Sequence, residues 1–138
     1  MNFIFCPDFS KESGIGHLTR CLNLAHELKI RGAKITFVVN KNNNSNFPIK
    51  IKNNFKLVNY KITQDLDNNS NLELIANKIK KIKNSLNTIL VIDNYKIDLN
   101  WEKKIHKYVK KIFVIDDFLR PHYCDFYLNQ GNIFKKNK

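Results

Sequence analysis

The chain has 138 residues, a formal net charge of +12 and 43% hydrophobic residues. That is enough for one domain burying roughly 68% of its unfolded surface. The charge comes from 21 lysines and only three arginines, beside 21 asparagines and 17 isoleucines against six valines. A bias so uniform along the chain argues against a selected phosphate-binding face, and so against a nucleic-acid partner.

Residues 2–6 read as a first strand that ends at Pro7-Asp8, too short an apolar run for a signal peptide. Ser13-Gly14-Ile15-Gly16 then forms a glycine loop, followed by Leu18, Cys21, Leu22, Ala25 and Leu28 at helical spacing. The helix is expected over 17–30, with Gly32 as its left-handed stop. Residues 34–39 are β-branched and aromatic and predict a second strand; Asn40 to Pro48 is a polar loop, and 55–60 a third strand. Ser70-x-x-Glu73 has capping-box spacing, opening a helix that buries Leu72, Ile75, Ala76, Ile79, Ile82 and Leu86. Its lysines fall mostly off that stripe.

Ile89-Leu90-Val91-Ile92 and Ile112-Phe113-Val114-Ile115 are unbroken apolar runs, the pattern of strands covered on both faces. Between them Asp98 is placed to cap a helix with Trp101, Ile105 and Tyr108 inside, and residues 126–128 predict a last strand. Strands alternating with helices give an α/β fold, a Rossmann-like parallel sheet over residues 1–133, followed by a Lys-rich tail at 134–138. Cys6, Cys21 and Cys124 show neither metal-ligand spacing nor a disulfide framework, and no apolar run reaches the ~20 residues of a membrane span. The expectation is a cytoplasmic protein with reduced thiols, no cofactor, no metal and no membrane partner.

The polar groups with chemistry gather after strands. The loop at 6–16, Asp93-Asn94-Tyr95 and Asp116-Asp117 each follow a strand's C-terminal end, and in a parallel sheet those ends share the edge where ligands bind. A glycine loop opening a helix aims backbone N–H groups and a positive dipole end at an anion. His17 lies in the first helical turn, where the dipole favours the neutral ring, with Arg20 on the same face. Arg20 either pairs with a carboxylate such as Glu12 or touches ligand; Asp8 and Ser10 either order the glycine loop or reach the site. Asp93 is expected to hold loops together through backbone N–H bonds, and Asp116 and Asp117 to be structural near the crevice. His26 is expected to pack, His106 to be exposed, and His122 is open.

Asp8-x-Ser10, Gly14-Ile15-Gly16-His17-x-x-Arg20-Cys21-Leu22-x-Leu24-Ala25, Val91-Ile92-Asp93-Asn94-Tyr95, Val114-Ile115-Asp116-Asp117 and Pro121 to Gln130 occur in this order. Together they resemble the UDP-2,4-diacetamido-2,4,6-trideoxy-β-L-altropyranose hydrolases of pseudaminic acid biosynthesis. The resemblance implies one half of a two-domain GT-B-type architecture. It makes His17 the catalytic base, and Gly14, Ile15, Gly16, Arg20, Asp8, Ser10 and Tyr95 substrate-binding residues. A UDP-sugar is then the substrate, and a C-terminal nucleotide-binding domain, not present in residues 1–138, is the partner. The chain departs from the family at Cys6, where an arginine is frequent, and at Asn94-Tyr95-Lys96, where His-Tyr-Gly is. A related glycosyltransferase of the spore-coat polysaccharide type and a non-catalytic subunit that needs a partner domain are the alternatives.

Overall fold

A computed structural model describes residues 1–8, 16–40, 54–62 and 67–129. Within them the chain runs β1 (Asn2–Pro7), α1 (Gly16–Ile30), β2 (Lys34–Asn40), β3 (Lys56–Tyr60), α2 (Asn68–Lys80), β4 (Thr88–Asp93), α3 (Leu99–Ile105), β5 (Lys111–Ile115) and β6 (Phe126–Leu128). The six strands form one sheet in the order β3-β2-β1-β4-β5-β6, every pair parallel. This is the α/β, Rossmann-like arrangement expected from the alternating pattern.

Alternation along the strands sends side chains to two cores. Ile4, Cys6, Leu90 and Ile92 face α2 and α3, whose Leu72, Ile75, Ile79, Trp101 and Ile105 cover them. Phe5, Phe37, Val39 and Val91 face α1, which contributes Leu18, Cys21 and Ala25. β1 and β4 are neighbours, yet the helices that lead away from them lie on opposite faces. The loops after β1 and β4 therefore diverge, and the register pairs Pro7 with Asp93 at the rim where they part. Such a reversal of strand order opens a crevice at the C-terminal edge of the sheet.

Local chemistry explains the boundaries. α1 ends as read: Gly32 has φ +93°, its N–H donates to the Lys29 carbonyl, and Ala33 N–H to the Leu28 carbonyl, closing a Schellman turn. Asp98 caps α3, accepting from Trp101 N–H at 3.0 Å. The start of α2 differs from the sequence reading. Asp67, not Ser70, is the cap; its carboxylate accepts Ser70 N–H at 2.7 Å, which holds the Asp67 carboxyl below its usual value. The helix stops at Lys80, so Ile82 is only partly buried and Leu86 is exposed in a following 3₁₀ turn. Tyr108, expected inside, lies partly exposed in a 3₁₀ turn after α3, its ring face under Lys80 Nζ. β6 is an edge strand with all three side chains exposed.

Candidate functional site

The crevice is built from the last residue of β4 outward. Asp93 is completely buried, and its carbonyl accepts Asp8 N–H at 2.7 Å, which joins the ends of β4 and β1. Its carboxylate meets three side chains of α1. His17 Nδ1 lies 2.5 Å from Oδ1, Arg20 donates through Nε to Oδ2 and through Nη2 to Oδ1 at 2.6 Å, and Cys21 Sγ lies 3.7 Å from Oδ2. Helical spacing explains the convergence, because residues three and four apart share a face and 17, 20 and 21 form one such patch.

The carboxylate can only accept, so neutral His17 carries its proton on Nδ1 and leaves the Nε2 lone pair outward. Nε2 has no hydrogen-bond partner among the described residues, although the His17 side chain is only 9% exposed. A fixed tautomer, a buried ring and an unsatisfied acceptor are what a general base requires. Arg20 binds Asp93 through two N–H groups and thereby stabilises its charge. A proton taken up at Nε2 is then held by the imidazole and balanced by Asp93, rather than passed to it.

Arg20 also donates from Nη1 to Asp117 Oδ2 at 2.7 Å. Asp93 first, and Asp117 after it, hold the guanidinium above the usual arginine value. Tyr95 closes the crevice: its ring stands edge-on to His17 at 4.5 Å, and its hydroxyl lies 3.5 Å from Asp117 Oδ2. Burial, and then Asp117, push that phenol up, so it remains a donor at neutral pH. Phe118 packs on Tyr95 at 4.7 Å.

Of the residues read from sequence, His17, Arg20, Asp8 and Tyr95 come together at this edge. Gly16 starts α1, exposed, and a Cβ there would meet nothing within 4 Å among the described residues. Ser10, Gly14 and Ile15 lie outside the described residues, as does Glu12, the partner considered for Arg20. Asp93 is the correction: its carboxylate holds the side chains of His17 and Arg20, not backbone N–H groups. Separation in sequence concealed this, since 76 positions divide Asp93 from His17. The available signal was its place at the end of a buried strand, level with Pro7 at the end of β1.

A second polar cluster lies beside the first. His122 bridges Glu102 and Asp116, and Arg120 reaches Asp116 and the carbonyls of Tyr95 and Ile97. Burial pushes Glu102 up from its ordinary value, while Tyr123 N–H and His122 pull it down. His26 packs on Phe55, as read. His106 is partly exposed, standing 3.5 Å from Asp125 and edge-on to Tyr123. Cys6, Cys21 and Cys124 are free thiols, the first two buried. No helix among the described residues is long and apolar enough to cross a membrane. No protein-family model, curated protein or solved structure matches the chain.

Proposed function

We propose that residues 1–138 form the base-bearing half of a nucleotide-sugar hydrolase, acting on a UDP-linked diacetamido-trideoxy sugar as the resemblance of its motifs implies. The observation that carries this reading is the His17 ring, held through Nδ1 by buried Asp93 at the C-terminal edge of the sheet, with no partner for Nε2 among the described residues. In the reaction, His17 Nε2 takes a proton from water as the water oxygen bonds to the anomeric carbon. The bond from that carbon to the diphosphate oxygen breaks, and UDP leaves with the electron pair. Asp93 balances the imidazolium, Arg20 orients Asp93 through two N–H groups, and Tyr95 walls the crevice beside the ring. The start of α1 presents N–H groups to the substrate, and a second Rossmann-like domain supplies the uridine and diphosphate contacts.

The test is product analysis with the UDP-sugar, using the chain together with a C-terminal domain from a relative, fused or as a separate chain. Free sugar and UDP without an added acceptor support hydrolysis. Products that require an acceptor hydroxyl point to a glycosyltransferase instead. No UDP release under either condition, with the substrate bound, leaves a binding subunit and ends the enzymatic reading.

A further inference from the structure

The connection between β5 and β6, residues 116–125, has no regular secondary structure, yet it delivers Asp117 to Arg20 and Phe118 to Tyr95. What fixes it is a buried histidine. The His122 side chain is 4% exposed, with Nδ1 2.7 Å from Glu102 Oε2 and Nε2 2.6 Å from Asp116 Oδ2; both carboxylates are at most 1% exposed. A carboxylate only accepts, whereas a neutral imidazole offers one donor and one acceptor. A neutral ring between two carboxylates would set its lone pair against an oxygen, a costly arrangement at this depth.

The other atoms of the cluster are committed. Glu102 Oε1 accepts Tyr123 N–H at 2.8 Å, Asp116 Oδ1 accepts Phe118 N–H at 2.8 Å, and Arg120 Nε donates to Asp116 Oδ2 at 2.9 Å. The groups facing His122 are therefore Glu102 from α3, Asp116 and Arg120 from the connection, Cys124 beside them, and Tyr127 of β6. The Tyr127 ring lies 5.5 Å from His122, and its hydroxyl donates to the Asp116 carbonyl at 3.0 Å. With an imidazolium, two carboxylates face two cations and the cluster is neutral. Arg120 extends it to the turn after β4 through the carbonyls of Tyr95 at 2.8 Å and Ile97 at 3.2 Å.

We propose that His122 is a positioning residue for the His17 crevice: an imidazolium donating to Glu102 and Asp116 at once, it locks the 116–125 connection so that Asp117 and Phe118 stand against Arg20 and Tyr95. Because Asp116 is drawn inward to His122, its neighbour Asp117 is left to face Arg20. The assignment of a purpose to this lock rests on reading the crevice as a site, but the lock itself is measured without turnover.

The experiment is side-chain ¹H–¹⁵N NMR on the 138-residue chain. At pH 7 both nitrogens of His122 carry protons, and the Tyr95 and Phe118 rings show cross-relaxation. His122→Gln keeps an amide donor but cannot span both carboxylates, so it is expected to weaken the Tyr95–Phe118 contact while the His17–Tyr95 contact persists. Glu102→Gln, which offers the ring a neutral acceptor, is expected to weaken the same contact, and Asp116→Asn serves where Glu102→Gln does not fold. A bare nitrogen on His122 at pH 7, or a Tyr95–Phe118 contact unchanged in folded His122→Gln, overturns the proposal. Failure to release UDP from any nucleotide sugar bears on the proposed reaction alone and leaves these spectra unchanged.

Discussion

At the scale of the residue, the crevice depends on which nitrogen of His17 faces out. A positioned base contributes about 10²–10⁴-fold, roughly 3–5 kcal/mol of barrier. In the proposed hydrolase, with a C-terminal domain from a relative added, His17→Asn is expected to lower kcat by that factor with KM nearly unchanged, the mark of an interaction made in the transition state. His26→Asn, at a ring that packs on Phe55, is the control and leaves both constants near wild type. Asp93→Asn keeps the shape but lets the amide donate to Nδ1, turning the tautomer over; a similar loss in kcat is expected. Steady-state kinetics with circular dichroism on each variant decides, and a His17→Asn enzyme with wild-type kcat removes the base. Buried thiols give an independent check on the core. Burial, with Asp8 adding to it, pushes Cys6 up to about 12. The folded state then keeps a proton that the unfolded chain sheds near pH 9. This contribution is complete below pH 9 and is lost as pH rises toward 12, at about 1.4 kcal/mol per pH unit. Urea unfolding of wild type and Cys6→Ala between pH 8 and 11 is expected to show a shallower decline in the variant; parallel curves contradict it.

At the scale of the element, the helices separate what a linear pattern specifies from what tertiary contacts decide. Asp98 was legible as a cap because a polar acceptor three residues before Trp101 has one obvious donor. Asp67 was missed because Ser70-x-x-Glu73 fits the capping template equally well, and spacing alone does not say which acceptor the backbone closes on. The distinction is measurable. Asp98→Ala is expected to cost about 1 kcal/mol. Ser70→Ala, which removes a hydroxyl not used by the α2 cap, is expected to stay within about 0.5 kcal/mol. Urea midpoints at constant slope test both, and a Ser70→Ala loss equal to that of Asp98→Ala contradicts the structural assignment. Strands were easier to read than helix ends. The runs at 89–92 and 112–115 are apolar on both faces, which only a covered parallel strand tolerates. Leu86 and Tyr108 were placed inside because each extends a helical stripe by one turn, while the chain leaves the helix at Lys80 and Ile105. Periodicity does not report where a helix stops when no glycine or proline marks it. The candidate site was legible to the same degree: His17 and Arg20 by the helix that opens after β1, Tyr95 by its place just after β4, the Asp93 contact only through the pairing of β1 with β4.

At the scale of the whole molecule, the formal charge of +12 is spread along the sequence. Lys29, Lys80 and Lys103 hold their ammonium groups over the rings of Phe55, Tyr108 and Tyr123, none of them a residue of the crevice. Among the described residues of the crevice edge, the acids Asp93 and Asp117 both bind the Arg20 guanidinium. Arg20 therefore has little to offer a diphosphate, and the edge is suited to hold and balance a base rather than to capture an anion. A diphosphate brought against it needs N–H donors from the start of α1 and positive charge from an opposing wall. This division of labour sets an expectation for affinity. The 138-residue chain alone is expected to bind UDP with a Kd of about 1 mM or weaker, near −4 kcal/mol or less. Adding the C-terminal nucleotide-binding domain of a relative is expected to tighten binding at least tenfold, because the second wall contributes without further distortion of the first. Titration calorimetry at fixed ionic strength measures both. Micromolar binding of UDP to the 138-residue chain by itself would place the nucleotide subsite on this wall and overturn the assignment of the two halves.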